Sequence, residues 1–366
     1  MNIRINRKLF VDALQVGSSF AGRSKALSVL DNVKIDVKGG YVYIMSNSVQ
    51  CSIVKRVGYL GCDGDGMFLV NPNDLLKPLK SLKDSEIVID VSSNTLSITH
   101  MKGKIAMSVQ GADEYPQMEK VSNDDVYTFD SGRLYDWLSI ARDFVSTDDL
   151  RPIMCGMLLY ARDNRVGVCA TDTRRLFTDS YSTPTSSDIQ CVIPSVSFAV
   201  LQQVLQGTDS VDVTLDAKYV SFKTDDSRLT CQVQVGTYPD FNRVIPTNND
   251  ISVKVGKEDF IDSVNRVSLF ADKGHSLLRM DIQGMMCCVS GRDVMYGKMA
   301  HEECMCEHDG VDLSIGTNAE MMLTCLSHVC SDTVEMLFSN SSRPILFKDN
   351  MNADRITLLM PMLLND

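Results

Sequence analysis

At 366 residues the chain is too long for one ordinary domain, because compact cores stop growing well below that size, so two or three domains are expected. Hydrophobic residues make up 44% and charged residues 23%, and no apolar run approaches the roughly 18 residues of a membrane span, which excludes a transmembrane protein; no membrane partner is expected. The 36 Lys and Arg against 47 Asp and Glu give a net charge of −11, which speaks against a partner carrying a phosphate backbone.

Met1-Asn2-Ile3-Arg4-Ile5-Asn6-Arg7-Lys8 carries charge with no apolar stretch behind it, so no secretory signal is read and a cytoplasmic location is expected. The twelve cysteines are accordingly expected as reduced, mostly buried thiols.

In chain order, Arg7 and Lys8 open a first helix, and the apolar strand Phe68-Leu69-Val70 runs through Asn71-Pro72 into an amphipathic helix over 73–82. A strand over 104–111 alternates Ile105, Met107 and Val109, and Tyr115-Pro116 closes it. The middle of the chain has a helix region with Arg133 and Arg142, strands over 156–160 and 167–170, and Cys191-Val192-Ile193-Pro194 leading into a helix over 195–206. Strands over 211–215, 219–223 and 230–236 follow, and Tyr238-Pro239 closes the last. Further on, Phe260, Ile261, Val264 and Val267 share one helix face, with Lys257, Asn265 and Arg266 off it. Strands over 277–282 and 285–290 precede Leu313-Ser314-Ile315-Gly316, a helix over 319–329, and the terminal Met360-Pro361-Met362.

Pro116, Pro239 and Pro361 are spaced by 123 and 122 residues, and the strand-to-helix units starting at Phe68, Cys191 and Leu313 share that spacing. Two landmarks with one period define three tandem repeats, 1–122, 123–250 and 251–366. Each reads as two helices laid on antiparallel sheet, an α+β unit.

Several segments in this frame carry a resemblance: Gly22-Arg23 before Leu30-Asp31-Asn32-Val33, Gly156-Met157-Leu158, Ala170-Thr171-Asp172-Thr173-Arg174-Arg175-Leu176, Tyr238-Pro239-Asp240-Phe241-Asn242-Arg243-Val244-Ile245-Pro246, and Met360-Pro361-Met362. With their order and spacing, the whole chain resembles the bacterial β sliding clamp, the β subunit of DNA polymerase III. The resemblance implies the DNA clamp fold, closed into a ring as a head-to-tail homodimer that encircles duplex DNA without sequence specificity. It implies as partners the polymerase catalytic subunit, an ATP-dependent clamp loader and other proteins carrying clamp-binding peptides, with no catalytic residue and no cofactor. The joining surface would set Ile105 and Met107 of one subunit against Leu269 and Phe270 of the other, although alternating apolar residues also suit an ordinary core.

By the same resemblance a groove for a short partner peptide would be lined by Met154, Thr171, Thr173, Arg174, Arg175, Leu176, Pro239, Arg243, Val244, Pro344, Leu358, Met360, Pro361 and Met362. Met, Leu and Pro suit an adaptable apolar slot, with Thr171 and Arg243 orienting at the rim. Thr173-Arg174 departs from the family's usual Gly-His: the turn loses backbone freedom, and a second arginine beside Arg175 adds positive charge at the lip, favouring peptides with acidic flanks. The effect of the tail after Met362 on the groove is not readable.

A sliding ring holds DNA by scattered phosphate attraction, so the DNA-facing candidates are basic residues on or beside helices: Arg7, Lys8, Arg23, Lys77, Lys80, Lys83, Arg133, Arg142, Arg266 and Lys273. Residues 1–122 hold 15 basic and 12 acidic side chains, 123–250 hold 11 and 18, and 251–366 hold 10 and 17, so the acidic excess is unevenly spread. That distribution suits an acidic exterior and a modestly basic lining. Gly61-Cys62-Asp63-Gly64-Asp65-Gly66 lacks the Lys and Ser/Thr of a phosphate-cradling loop, so ATP use is not expected. The rival reading is a metal-dependent hydrolase. His301, Cys304, Cys306 and His308 offer metal-compatible donors, with the last three on one side of a strand, but their spacing matches no common zinc module, and no metal is expected.

Overall fold

The computed structural model describes residues 1–23, 27–123, 125–185, 188–349 and 351–364. It divides into two compact units, Met1–Asp136 with Val196–Val233, and Trp137–Ser195 with Gln234–Asp366. The division cuts through the middle repeat. Strands of that repeat join two different sheets, one shared with the first repeat and one with the third.

In the first unit a five-stranded antiparallel sheet runs Gly61–Cys62, Asn2–Asn6, Glu86–Ser92, Thr95–His100, Gly103–Ser108. An eight-stranded sheet runs Tyr127–Asp130, Ser210–Leu215, Tyr219–Lys223, Ser227–Gln232, Cys51–Gly58, Tyr41–Asn47, Val33–Lys38, Gly66–Val70. Helix Arg7–Gly17 starts where the Asn6 side chain accepts the Leu9 N–H at 3.1 Å, and it buries Phe10, Val11, Ala13 and Leu14 on one face. Asn71 caps helix Pro72–Ser81 in the same way, with Pro72 in its first turn. Both helices pack into one core with Ile3, Ile5, Val33, Ile35, Ile44, Phe68, Ile87 and Ile98.

In the second unit one twelve-stranded sheet runs Ile189–Pro194, Gly156–Arg162, Arg165–Thr171, Arg175–Ser182, Ile356–Leu359, Ile345–Lys348, Thr333–Phe338, Ile251–Gly256, Lys298–Asp309, Met286–Asp293, Leu277–Gln283, Leu313–Asn318. Helices Lys257–Ser268 and Ala319–Ser327 carry apolar faces, the latter capped by Asn318. Strand Gly156–Arg162 is buried along nearly its whole length rather than alternately. Its Leu158 and Tyr160 face a cluster with Tyr238 and Phe241, so the chain following the strand of the middle repeat covers a second side of the sheet.

That covering explains the repeated Tyr-Pro. The Tyr238 hydroxyl donates to the Cys169 carbonyl at 3.1 Å, and Phe241 packs on Tyr160 with ring centroids 5.9 Å apart. Tyr115 plays the matching part in the first unit, buried with Leu30, Leu69 and Ala112, its hydroxyl 3.5 Å from the Asn32 carbonyl. Burial pushes the Tyr115 hydroxyl up to about 12 and Tyr238 higher still, so both remain neutral donors.

The expected helix over 195–206 resolves as a tight turn, Ser195–Ser197, before helix Phe198–Leu205, and the expected strand over 230–236 lies earlier, at Ser227–Gln232. Strand Gly103–Ser108 likewise stops short of Val109, whose N–H turns to the Asn94 carbonyl. Among the described residues no helix is long and apolar enough to cross a membrane.

Candidate functional site

The residues expected to line a peptide groove all belong to the second unit. Strand Arg175–Ser182 pairs with strand Ile356–Leu359, setting Leu176 opposite Leu358. Both leucines are buried, at 3% and 2% exposure, in the cluster that holds Phe241 and Tyr238. Pro344, just before the adjoining strand, is buried as well. Met360 follows strand Ile356–Leu359, its N–H donating to the Arg174 carbonyl at 2.7 Å, and the residue is 37% exposed. Pro361 and Met362 are half-buried, while Pro239, Arg243 and Val244 are exposed. Met154 ends a short turn of helix and is partly buried.

The turn between strands Arg165–Thr171 and Arg175–Ser182 is set by its polar side chains. Thr171 Oγ1 accepts the Thr173 N–H at 3.1 Å and donates to the Arg175 carbonyl at 2.8 Å, while Asp172 Oδ1 accepts the N–H groups of Arg174 and Arg175, each at 2.9 Å. Together they hold Thr173 at φ +79°, a left-handed conformation that suits glycine and strains a β-branched residue. The turn thus keeps the shape that glycine would give without having glycine. Thr173→Gly is expected to raise stability by about 1 kcal/mol or less, the relief of strain being partly offset by a more flexible unfolded chain. A higher urea midpoint would show it; a lower one would mean that the threonine side chain contributes contacts that outweigh the strain.

The two arginines at this turn differ in what they present. Arg175 is drawn inward: its Nε lies 2.9 Å from Asp172 Oδ2, its Nη1 donates to Thr324 Oγ1 at 2.9 Å, and its guanidinium lies 5.8 Å from the centre of the Phe144 ring. Arg174, in the turn, is exposed. Arg243 also stays in solvent, beside Asp240 at 2.9 Å.

Sequence reasoning missed the terminal leucines. Met362 bridges to Gly316, its N–H donating to the Gly316 carbonyl at 2.8 Å, and Leu363 and Leu364 line a cavity of about 790 Å³ with Asp272, His275, Leu277 and Arg279. A Leu-Leu pair at a chain end has no periodicity, so nothing before Met362 announces this contact. Asn365 and Asp366 lie outside the described residues.

Of the expected DNA-facing residues, Lys8, Lys77, Lys80 and Lys83 are exposed in the first unit, on or just beyond its helices. Arg23 is exposed in the loop after helix Arg7–Gly17, with its guanidinium 5.3 Å from the Phe20 ring centre. Arg7 is largely enclosed, its side chain 15% exposed and 3.9 Å from Asp84. Arg133 is exposed on helix Ser131–Ala141, Arg142 one residue beyond that helix, and Lys273 in the turn after helix Lys257–Ser268. Arg266 is exposed but grips Glu302 with two contacts of 2.7 Å, which compensates its charge and holds the Glu302 carboxyl down to about 2.

Ile105 and Met107 lie on strand Gly103–Ser108, the free edge of the five-stranded sheet, half-buried against that unit's core. In the other unit Leu269 and Phe270 end helix Lys257–Ser268 at 75% and 40% exposure. Cys304, Cys306 and His308 share one side of strand Lys298–Asp309, the cysteines buried, while His301 is exposed. Among the described residues no group of three or more His, Cys, Asp or Glu is placed to hold a metal ion.

Models of the DNA polymerase III beta subunit match in succession, the N-terminal domain over residues 1–119, the central domain over 139–240 and the C-terminal domain over 242–363. The chain belongs to the DNA polymerase III beta subunit family. It is 24% identical to the beta sliding clamp of Staphylococcus epidermidis, with 99% of each chain covered, and 23% identical to that of Pseudomonas putida, with 99% of this chain and all of the other covered. The structure of the Pseudomonas aeruginosa sliding clamp bound to griselimycin superposes with a TM-score of 0.95 at 23% identity, and that of the Bacillus subtilis clamp with 0.91 at 20%, each over the full length of both chains. The beta subunit fold is therefore present from end to end, and the comparisons give the hydrolase reading no support.

Proposed function

We propose that this chain is a DNA sliding clamp that acts without catalysis: two copies close head to tail into a ring around duplex DNA and tether the replicative polymerase and other peptide-bearing proteins. The observation that carries the reading is the match of three successive beta subunit domain models in order along the chain, with a superposition covering the whole chain. Domain limits of 1–122, 123–250 and 251–366 follow the proline spacing. The location would be cytoplasmic, with an ATP-driven loader opening the ring. The joining surfaces would be the free edge at Ile105 and Met107 and the exposed Leu269 and Phe270, since closing a ring covers strand edges that otherwise invite stray pairing.

The lining would be carried by Lys8, Arg23, Lys77, Lys80, Lys83, Arg133, Arg142 and Lys273, with Arg266 and Arg7 contributing less because Glu302 compensates the first and its surroundings enclose the second. Against a net charge of −11 this lining holds DNA by enclosure more than by affinity. The protein, once loaded on nicked circular DNA, is expected to remain through gel filtration and to be lost when the circle is cut. Retention on the linear form would sink the reading.

The groove built on Leu176 and Leu358 would take the apolar anchors of a partner peptide, with Met154, Thr171, Pro239, Val244, Pro344, Met360, Pro361 and Met362 around it. Arg174, exposed at the lip, would favour acidic flanks. Replacing the acidic flanking residues of a cognate peptide by neutral ones should weaken binding by about twofold to fivefold at low salt, and the difference should fade as salt rises. Equal affinities at low salt, measured by calorimetry, would remove Arg174 from the account.

A further inference from the structure

Cys51 opens strand Cys51–Gly58 and Cys231 lies near the end of strand Ser227–Gln232, directly opposite it in the ladder. This ladder joins the first repeat to the middle one within the eight-stranded sheet. The pairing type follows from the hydrogen bonds on either side: Gln232 N–H donates to the Gln50 carbonyl at 2.7 Å, and Arg56 N–H donates to the Asp226 carbonyl at 2.8 Å. Those bonds flank the pairs Cys231/Cys51 and Ser227/Lys55, which makes both non-hydrogen-bonded pairs. At such pairs the Cα atoms approach to about 4.5 Å with side chains on one face, inside the span of about 4.4–6.8 Å that a disulfide bridges.

Access is uneven. Cys231 is fully buried, while Cys51, 3% exposed, helps to line a cavity of about 240 Å³ with Ser48, Gln50, Pro116 and Thr230. The molecule also contains its own comparison. Cys287 and Cys304 oppose each other too, but Cys306 N–H donates to the Met285 carbonyl at 3.0 Å, which makes Met286/Met305 the non-hydrogen-bonded pair and places Cys287/Cys304 in the wider, hydrogen-bonded position. At the corresponding joint in the second unit the opposed pair is Arg175 and Leu359, so the repeat itself does not impose two cysteines here.

We propose that Cys51 and Cys231 are a reversible dithiol–disulfide site, oxidised by a small-molecule disulfide that enters through this cavity, which fastens the first repeat to the middle one. Cys51, after losing its proton to water, attacks one sulfur of a glutathione-type disulfide; that S–S bond breaks, and one glutathione leaves as thiolate and takes up a proton. Cys231, likewise deprotonated, attacks the Cys51 sulfur and releases the second glutathione. Two protein thiols are oxidised to one disulfide, and the external disulfide is reduced to two thiols. The site is independent of the clamp reading, since it depends only on the ladder and the cavity.

The full-length chain is incubated, folded, with oxidised glutathione, then alkylated, digested without reductant and mapped by mass spectrometry. A peptide pair joined through Cys51 and Cys231 is expected, with the thiol count in denaturant lowered by two and restored by dithiothreitol. C51S and C231S should each abolish the linked pair, while C287S leaves it in place. An unchanged thiol count, arrest at a glutathione adduct on Cys51, or preferential linkage of Cys287 to Cys304 would each overturn the proposal. The wild-type map stands even if a variant fails to fold.

Discussion

Arg355→Leu is expected to destabilise the second unit by about 3–5 kcal/mol, the usual cost of leaving one partner of a buried ion pair behind. Arg355 Nε lies 3.0 Å from Asp179 Oδ2, and the two side chains are 10% and 2% exposed. Asp179 sits on strand Arg175–Ser182 and Arg355 just before strand Ile356–Leu359, so the pair clamps the ladder that sets Leu176 opposite Leu358. In the variant the Asn352 amide, at 3.1 and 3.3 Å, would remain to the carboxylate. The single tryptophan is a convenient reporter, because Trp137 stacks on Tyr181 of the same strand with ring centroids 5.7 Å apart. The urea midpoint read from its fluorescence should fall by about 1–2 M. Adding Asp179→Asn should recover much of the loss, since it removes the stranded charge. A midpoint unchanged in the single variant would show that water or a rearranged side chain satisfies Asp179.

This clamp was not legible in the sequence, and the reason is general to the chain. The period of about 122 residues was readable because Tyr115 and Tyr238 each insert a ring into an apolar cluster and anchor it on a carbonyl, a demand that fixes residue type at fixed spacing. The helix faces were readable for the same kind of reason: Phe260, Val264 and Val267 must meet one core. Pairing between repeats leaves no such mark. Nothing near Asp179 points to a partner 176 residues away, and nothing near Cys51 points to Cys231. The division of the middle repeat between two units follows from those same unmarked ladders.

The groove shows the same limit at finer grain. Two of the proposed lining residues, Leu176 and Leu358, lie opposite each other in one ladder, a pairing that nothing in the sequence marks. The charges did not sort themselves so simply. Arg174 and Arg175 are adjacent and alike in sequence, yet Arg174 stays in the turn and exposed, while Arg175 opens the next strand and is held by Asp172 and Thr324. Arg266 likewise reads as a free helix cation until Glu302, 36 residues on, is brought beside it. Positive side chains are counted easily from sequence; their availability depends on neighbours that only the fold supplies.

Gly316→Val is expected to weaken binding of the proposed partner peptide by about tenfold or more, equivalent to at least about 1.4 kcal/mol. Gly316 is buried on the edge strand Leu313–Asn318, and a Cβ there would come within 2.5 Å of the Met362 carbonyl and 3.0 Å of Leu364 Cδ2. The first contact is with backbone, so a rotamer change cannot relieve it, and the terminal segment must move away. Met362 would then lose its bridge to Gly316, and Leu364 its place in the cavity of about 790 Å³. The rest of the sheet keeps its ladders, so the Trp137 transition should shift far less than in Arg355→Leu. A chain ended after Met362 separates the two contributions, because it retains the bridge and lacks both leucines; its affinity should fall between those of wild type and Gly316→Val. Wild-type affinity in Gly316→Val, with the variant folded, would show that the terminal segment lies beside the peptide site without forming part of it.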